Sequence, residues 1–177
     1  MNLIATDLPD VKRIELNPHE DDRGFFARAF CRDELADAGY PFEVVQANMS
    51  FNHKLGTLRG MHYQQNPVGD PKIVRCIKGA VYDVVVDLRP DSPAFCQWTA
   101  TELSAQNRHA FLIPAGCAHG FLTLTDDAEL LYLMGAPFVT DLADGVRWND
   151  PAFGIKWPFA PALINDRDAS YPDFKAD

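Results

Sequence analysis

Apolar residues in this chain come in short runs, broken by glycine or proline at intervals of about ten residues, a spacing that suits strands and tight turns. Runs rich in Val, Ile, Phe, Tyr and Thr predict strands at Val11–Leu16, Phe25–Phe30, Glu43–Ser50, Thr57–Gln64, Ile73–Ile77, Ala80–Leu88, Gln97–Leu103, Ala110–Ile113, Gly120–Thr125 and Ala128–Met134. Many short strands separated by turn residues predict an all-β sandwich or barrel. One helix is predicted, Arg32–Ala38. Asp33 and Glu34 occupy its first turn, where unpaired amide groups favour anions, and Gly39 ends it. After Pro158 the chain becomes rich in Pro and Asp, which predicts helical turns and coil. No repeat, low-complexity segment or linker divides the sequence, so 1–177 reads as one domain.

Two segments say more than their element type. Lys78-Gly79 lies between apolar runs, and glycine supplies the positive φ that a tight hairpin needs. In Ala80–Leu88, alternation places Tyr82, Val84, Val86 and Leu88 on one face and Val81, Asp83, Val85 and Asp87 on the other. The first face reads as core. The second sets carboxylates among valines. It fits either a solvated surface or the partly polar interior of a barrel that holds a ligand.

Composition narrows the partners. The chain is 47% hydrophobic and 23% charged, as a globular protein is, and carries a formal charge of −9. An acidic chain without a basic block is a poor grip for a phosphate backbone, so no nucleic-acid partner is expected. Local basic pockets for a small anion remain open. No apolar run reaches the roughly 18 residues of a membrane helix, and MNLIATDLPD has no signal-peptide pattern, so a cytoplasmic protein without a membrane partner is expected. Cys31, Cys76, Cys96 and Cys117 form no C-x-x-C pair, which predicts four reduced thiols.

Candidate chemistry begins in Thr57–Tyr63. A regular strand sends Arg59 and His62 to opposite faces, but Gly60 between them suits a bulge that would turn both to one side. Pro114-Ala115-Gly116-Cys117-Ala118-His119 then places a histidine just after a turn. That P-x-G-x-x-H stretch resembles the second motif of the cupin superfamily. Metal-binding cupins supply H-x-H and a downstream Glu from the first motif. Here His62 is followed by Tyr63 and Gln64, so no metal is expected.

A longer series of blocks recurs in one order: Asp22-Arg23-Gly24-Phe25-Phe26, Gln46-Ala47-Asn48, Leu58-Arg59-Gly60-Met61-His62, Lys72-Ile73-Val74-Arg75-Cys76, Gly79 through Asp87, Ile113-Pro114 through Gly120-Phe121, and Trp148-Asn149-Asp150. Over residues 5–170 or so this is similar to the dTDP-4-dehydrorhamnose 3,5-epimerase family. The resemblance implies an all-β, cupin-like double-stranded β-helix jelly roll with a few short helices. It implies a cofactor-independent isomerase acting on a dTDP-linked 4-keto-6-deoxyhexose, with no metal. It also implies a homodimer, an N-terminal strand region that contributes across the interface, and a C-terminal tail packed near the site. The hydrogens at C3 and C5 flank the ketone. Inversion therefore needs a base on one face, an acid on the other, and a cation where enolate charge develops.

The family's roles carry over to His62 as base, Asp168 as the carboxylate that orients it, Tyr132 as acid and Lys72 as the cation. Taken singly, composition reads Tyr132 as a core tyrosine, Lys72 as a solvated strand start and Asp168 as a surface acid; only the resemblance makes them a set. Arg23 and Arg59 suit a diphosphate through bidentate guanidinium pairing. Phe26 and Arg28, Gln46 and Asn48, His119 with Asp83 beside it, Phe138 for stacking on the base, Asp144 and Arg167 complete the implied binding set. The sequence departs from the family at Arg28, where R-G-x-F-x-E usually ends in an acid, and at Ser50-Phe51-Asn52-His53, which lacks a second serine. One residue is also added between Tyr132 and Gly145. These departures leave open a one-centre epimerase of a related nucleotide sugar. A metal-dependent cupin enzyme and a non-catalytic nucleotide-sugar binding module are the alternatives of other classes.

Overall fold

A computed structural model of the chain describes residues 1–175. Its strands are β1 (Asn2–Ala5), β2 (Lys12–Glu15), β3 (His19–Asp21), β4 (Gly24–Phe26), β5 (Gln46–Asn52), β6 (Leu58–Gln64), β7 (Lys72–Lys78), β8 (Ala80–Asp87), β9 (Trp98–Ser104), β10 (Ala110–Ile113), β11 (Cys117–Thr123), β12 (Ala128–Met134) and β13 (Ala143–Gly145). Helices α1 (Arg32–Asp37) and α2 (Asp166–Ala169) are short. A six-stranded sheet in the order β1-β2-β10-β7-β12-β5 faces a five-stranded sheet in the order β13-β6-β11-β8-β9, and β3-β4 form a separate ribbon. Neighbouring strands pair antiparallel throughout. This is an all-β, cupin-like jelly roll with short helices. No helix among the described residues is long and apolar enough to cross a membrane.

Period-two alternation distributes the side chains over three buried layers. Val74 and Cys76 of β7, Val81 and Val85 of β8, Phe111 and Ile113 of β10, Phe121 of β11 and Leu130 of β12 point between the sheets and form the central core. The alternate residues Ile73, Ala110 and Leu112 pack outward under Leu35 of α1 and Phe42. On the other sheet, Val84, Val86 and Ala118 are covered by Val146 and Phe153, with Trp157 and Phe174 against them. Both faces of β8 are therefore buried. Asp83 and Asp87 are fully enclosed, which identifies their face as the partly polar interior rather than a solvated surface. Each has a partner: Asp87 accepts bonds from Arg89 and Ser92, and Asp83 from His119.

Several predicted boundaries move. The predicted strand Phe25–Phe30 shrinks to β4, which pairs only with β3; Phe30 instead packs edge-on against Phe42. β5 lies at Gln46–Asn52 rather than Glu43–Ser50, and β11 starts at Cys117 rather than Gly120. The unpredicted β1, β3 and β13 are three or four residues long and exist through their partners β2, β4 and β6. The hairpin predicted at Lys78-Gly79 is corrected. Gly79 has φ +72° as expected, but β7 and β8 belong to different sheets, and the turn carries the chain from one to the other. A Cβ on Gly79 would sit 2.3 Å from Thr125 Oγ1, so glycine is required by packing as well as by φ.

Candidate active site

The Gly60 bulge is present, and its register states the reason. His119 and Phe121 of β11 lie two residues apart, yet they oppose His62 and Arg59 of β6, which are three apart. The extra residue is Gly60, with φ +128°. A Cβ there would meet Gly120 Cα at 2.5 Å and the His119 carbonyl oxygen at 2.9 Å. With the alternation broken, Arg59 and His62 point into one cavity.

That cavity has a volume of about 270 Å³ and is lined by Asn48, Met49, Ser50, Arg59, His62, Lys72, His119, Phe121, Tyr132 and Met134. An adjoining space of about 160 Å³ is bounded by Gln46, Tyr63, Gln64, Asp70, Phe138, Ala143, Asp144 and Arg167, and it shares Asn48, His62 and Met134 with the first. The site thus draws β5, β7 and β12 from one sheet and β6, β11 and β13 from the other. His62 and Tyr132 enter from opposite sheets. A larger cavity of about 740 Å³ shares Tyr63 and Gln64 with the adjoining space and runs on along Asp10, Arg89, Asp91 and Ser92. It has no histidine, and its Arg89 is occupied by Asp87, Asp10 and the Pro9 carbonyl.

His62 is held from behind. Its Nε2 lies 2.7 Å from Asp168 Oδ1, and Asp168 is fully buried. The Gly60 amide donates to Asp168 Oδ2 at 2.9 Å, while Asn165 caps α2 by accepting from the Asp168 amide at 2.7 Å. Burial by itself would raise the Asp168 pKa. The bonds from His62 and the Gly60 amide, with the charges of His62 and Arg167, outweigh it and leave the carboxyl below its ordinary value. A carboxylate only accepts, so Nε2–H donates to it and Nδ1 remains as the basic ring nitrogen.

Tyr132 packs against the core while its ring meets His119 edge-on at 6.0 Å between centroids. Burial and the nearby Asp83 carboxylate push its pKa up, against a smaller opposing effect of Arg59. Its phenol therefore stays protonated near neutral pH. His119 is buried, with Nε2 at 2.9 and 3.0 Å from the two Asp83 oxygens. Burial raises the Asp83 pKa, opposed by His119 and Lys72. Lys72 Nζ contacts Asp70 Oδ2 at 2.5 Å. Arg59 donates to Asn52 at 2.7 Å, Gln46 to Asn48 at 3.0 Å, and Arg167 to the Ala143 carbonyl at 3.3 Å. Asp144 accepts from Tyr63 and Gln65, and Phe138 is 62% exposed at the mouth.

Arg23, Phe26 and Arg28 are not brought to this cavity. Arg23 pairs with Asp21 beside it, Phe26 is 78% exposed on the β3-β4 ribbon, and Arg28 pairs with Glu34 of α1. The ribbon belongs to neither sheet, and none of its residues lines the cavity or the adjoining space. Conversely, Ser50, Tyr63, Asp70, Phe121 and Met134 line the site without having been singled out. Ser50 and Met134 were within reach of the alternation argument, each two residues from a candidate on its own strand. No group of three or more His, Cys, Asp or Glu side chains suited to a metal ion gathers among the described residues.

A family model described as dTDP-4-dehydrorhamnose 3,5-epimerase matches residues 5–176. A Shigella flexneri protein of that name is 41% identical over 175 residues, 98% of this chain and 96% of the relative. A Bacillus anthracis dTDP-4-dehydrorhamnose 3,5-epimerase crystallised with TDP and PPi superposes with a TM-score of 0.94 at 39% identity, covering 98% of this chain and 99% of that one. A Legionella pneumophila dTDP-6-deoxy-D-glucose-3,5-epimerase in complex with dTDP-4-keto-L-rhamnose gives a TM-score of 0.89 at 32% identity, covering 99% of each chain.

Proposed function

This chain belongs to the dTDP-4-dehydrorhamnose 3,5-epimerase family, and we propose that it converts dTDP-4-dehydro-6-deoxyglucose to dTDP-4-dehydrorhamnose by inverting C3 and C5. One observation carries the reading: an imidazole locked by a buried carboxylate and a proton-holding phenol face one cavity from opposite sheets.

His62 Nδ1 takes the proton next to the ketone, and Asp168 stabilises the imidazolium that forms. The Lys72 ammonium faces the oxygen on which enolate charge develops, supported by His119. Tyr132 returns a proton to the opposite face of the ring, which inverts the centre. No cofactor is required, since the groups for proton removal, charge stabilisation and reprotonation come from the protein. Arg59, Gln46, Asn48, Asp144 and Arg167 bind the nucleotide and sugar, and Phe138 offers its exposed ring to the base.

We propose a homodimer in which the partner's ribbon delivers Arg23, Phe26 and Arg28. The exposed Phe26 and the exposed Phe51 of β5 support a covered surface there. The four cysteines are free thiols, in keeping with a cytoplasmic enzyme of one domain.

The test is deuterium exchange from D2O into C3 and C5 of the ketosugar. Exchange at both centres with the rhamno product is expected. His62→Ala should abolish it, and Tyr132→Phe should spare part of the exchange on the base-facing side. Exchange confined to one centre would make the protein a one-centre epimerase. Tight binding without exchange would make it a binding module, and activity that tracks a stoichiometric metal would place it among metal-dependent cupins. Wild-type turnover in His62→Ala would falsify the base assignment.

A further inference from the structure

Lys72 has a flexible four-carbon stem, and a group that stabilises developing charge must be in place before the charge appears. On β7 it shares the inward face with Val74 and Cys76, next to Met134 of β12 and Ile113 of β10 in register. These apolar neighbours cannot orient an ammonium. Among the described residues, the one side chain that hydrogen-bonds its Nζ is Asp70, at 2.5 Å, while the Asp83 carboxylate acts on it through charge alone. Asp70 is 6% exposed and Lys72 4%. They stand two positions apart, so they lean to the same side of the strand entrance. Pro71 between them has a fixed φ, and its carbonyl is tied to the Gly135 amide at 2.8 Å. Asp70 also borders the adjoining space beside His62. Its Oδ1 is buried and finds no partner among the described residues, so the carboxylate has no competing attachment that would draw it away from the lysine.

We infer that Asp70 is a positioning residue of the proposed epimerase, fixing the Lys72 ammonium at the cavity wall so that its remaining N–H donors face the substrate ketone oxygen. This rests on the role given to Lys72 above. An ammonium carries three donors; one is used by Asp70 and two stay available to the sugar. Losing Asp70 leaves the cation present but free to swing along its stem. The cost falls on the transition state, where position matters most, and little on ground-state binding.

The experiment is a double-mutant cycle read by steady-state turnover of the dTDP-linked 4-ketosugar and by deuterium wash-in. Lys72→Met is expected to lower kcat by about 100- to 1,000-fold, as for loss of one oxyanion donor. Asp70→Asn should lower kcat by about 10- to 100-fold, the scale of a roughly 1 Å misplacement, with KM changed less than about threefold, as expected for an interaction made only in the transition state. Asp70→Glu should recover part of that loss. Combined with Lys72→Met, Asp70→Asn should cost nothing more, because a residue that acts through another has no effect once the other is gone. Should Asp70→Asn fail to fold, Asp70→Leu/Lys72→Met removes both charges together and is compared with Lys72→Met alone. Additive losses, or a loss in KM alone, would overturn the inference. Wild-type turnover in Lys72→Met would overturn it as well, together with the lysine's role, while leaving the His62 reading to its own test.

Discussion

Asp168→Asn separates the positioning of the base from its presence. The native carboxylate accepts from His62 Nε2 at 2.7 Å and from the Gly60 amide at 2.9 Å. An Asn can keep its carbonyl oxygen on Gly60, but its NH2 group then faces His62. Because NH2 only donates, Nε2 must accept, and the ring proton moves to Nδ1, the atom the reaction needs free. The variant therefore retains the histidine in the wrong tautomer. Loss of a positioned general base lowers exchange by about 100- to 10,000-fold, which is about 3 to 5 kcal/mol of barrier at 1.36 kcal/mol per decade. Stability changes less. Charge-assisted bonds become neutral ones, a cost of at most about 1.5 to 3 kcal/mol, and relief from burying a charge offsets part of it. For a chain of this size the melting temperature falls by no more than about 12 °C. Deuterium incorporation at C3 and C5 by NMR, with thermal melts by circular dichroism, measures both. A folded variant that exchanges within about tenfold of wild type, against the expected general-base contribution, would refute the tautomer argument.

The same carboxylate sets an acid limit. Its folded pKa is lowered, so its contribution to stability is complete above the unfolded value near 3.9, and is lost as pH falls through the lower folded value. The stability gap between wild type and Asp168→Asn, from urea titrations, should close as pH falls below about 4; a gap still fully present well below that pH contradicts the assignment. Gly60→Ala forces a Cβ to within 2.5 Å of the Gly120 backbone at φ +128°, and about 2 to 5 kcal/mol of destabilisation is expected from overpacking plus backbone strain. An unchanged denaturation midpoint would argue against the bulge. Burial raises Cys76 to about 11 and Cys117 to about 12, so iodoacetamide near neutral pH should spare both until the protein unfolds. Rapid labelling of either in the native state would contradict the packing.

Much of the framework can be read along the chain because alternation is a local property. The run Ala128–Met134 is β12 to the residue, since its apolar residues are bounded by acids on one side and by Gly135 on the other. The two acids of β8 among valines left a polar interior and a solvated face equally open, and the burial of the structure decides it; Gly60 pointed to the bulge that turns Arg59 toward His62. What a local pattern does not encode is the partner of each strand. Lys78-Gly79 reads as a hairpin in any window short enough to contain it, yet β7 pairs with β10 and β12, and β8 with β9 and β11. Asp70 escaped notice for the same reason: an acid before a strand reads as a solvated turn until β12 and the Pro71–Gly135 contact close over it.

The candidate site divides along the same line. The family resemblance named His62, Tyr132, Lys72 and Asp168 as candidates, where residue type alone read the last three as core, strand start and surface. Only the folded chain brings Asp168 to His62 across 106 residues and sets Tyr132 on the sheet facing it. Only the fold, too, leaves Arg23, Phe26 and Arg28 outside the cavity they were expected to line. Side-chain direction follows from the two-residue period of a strand and is written in every stretch of sequence. Distance between remote residues depends on which strands share hydrogen bonds, and that choice is made by the burial of the whole core at once.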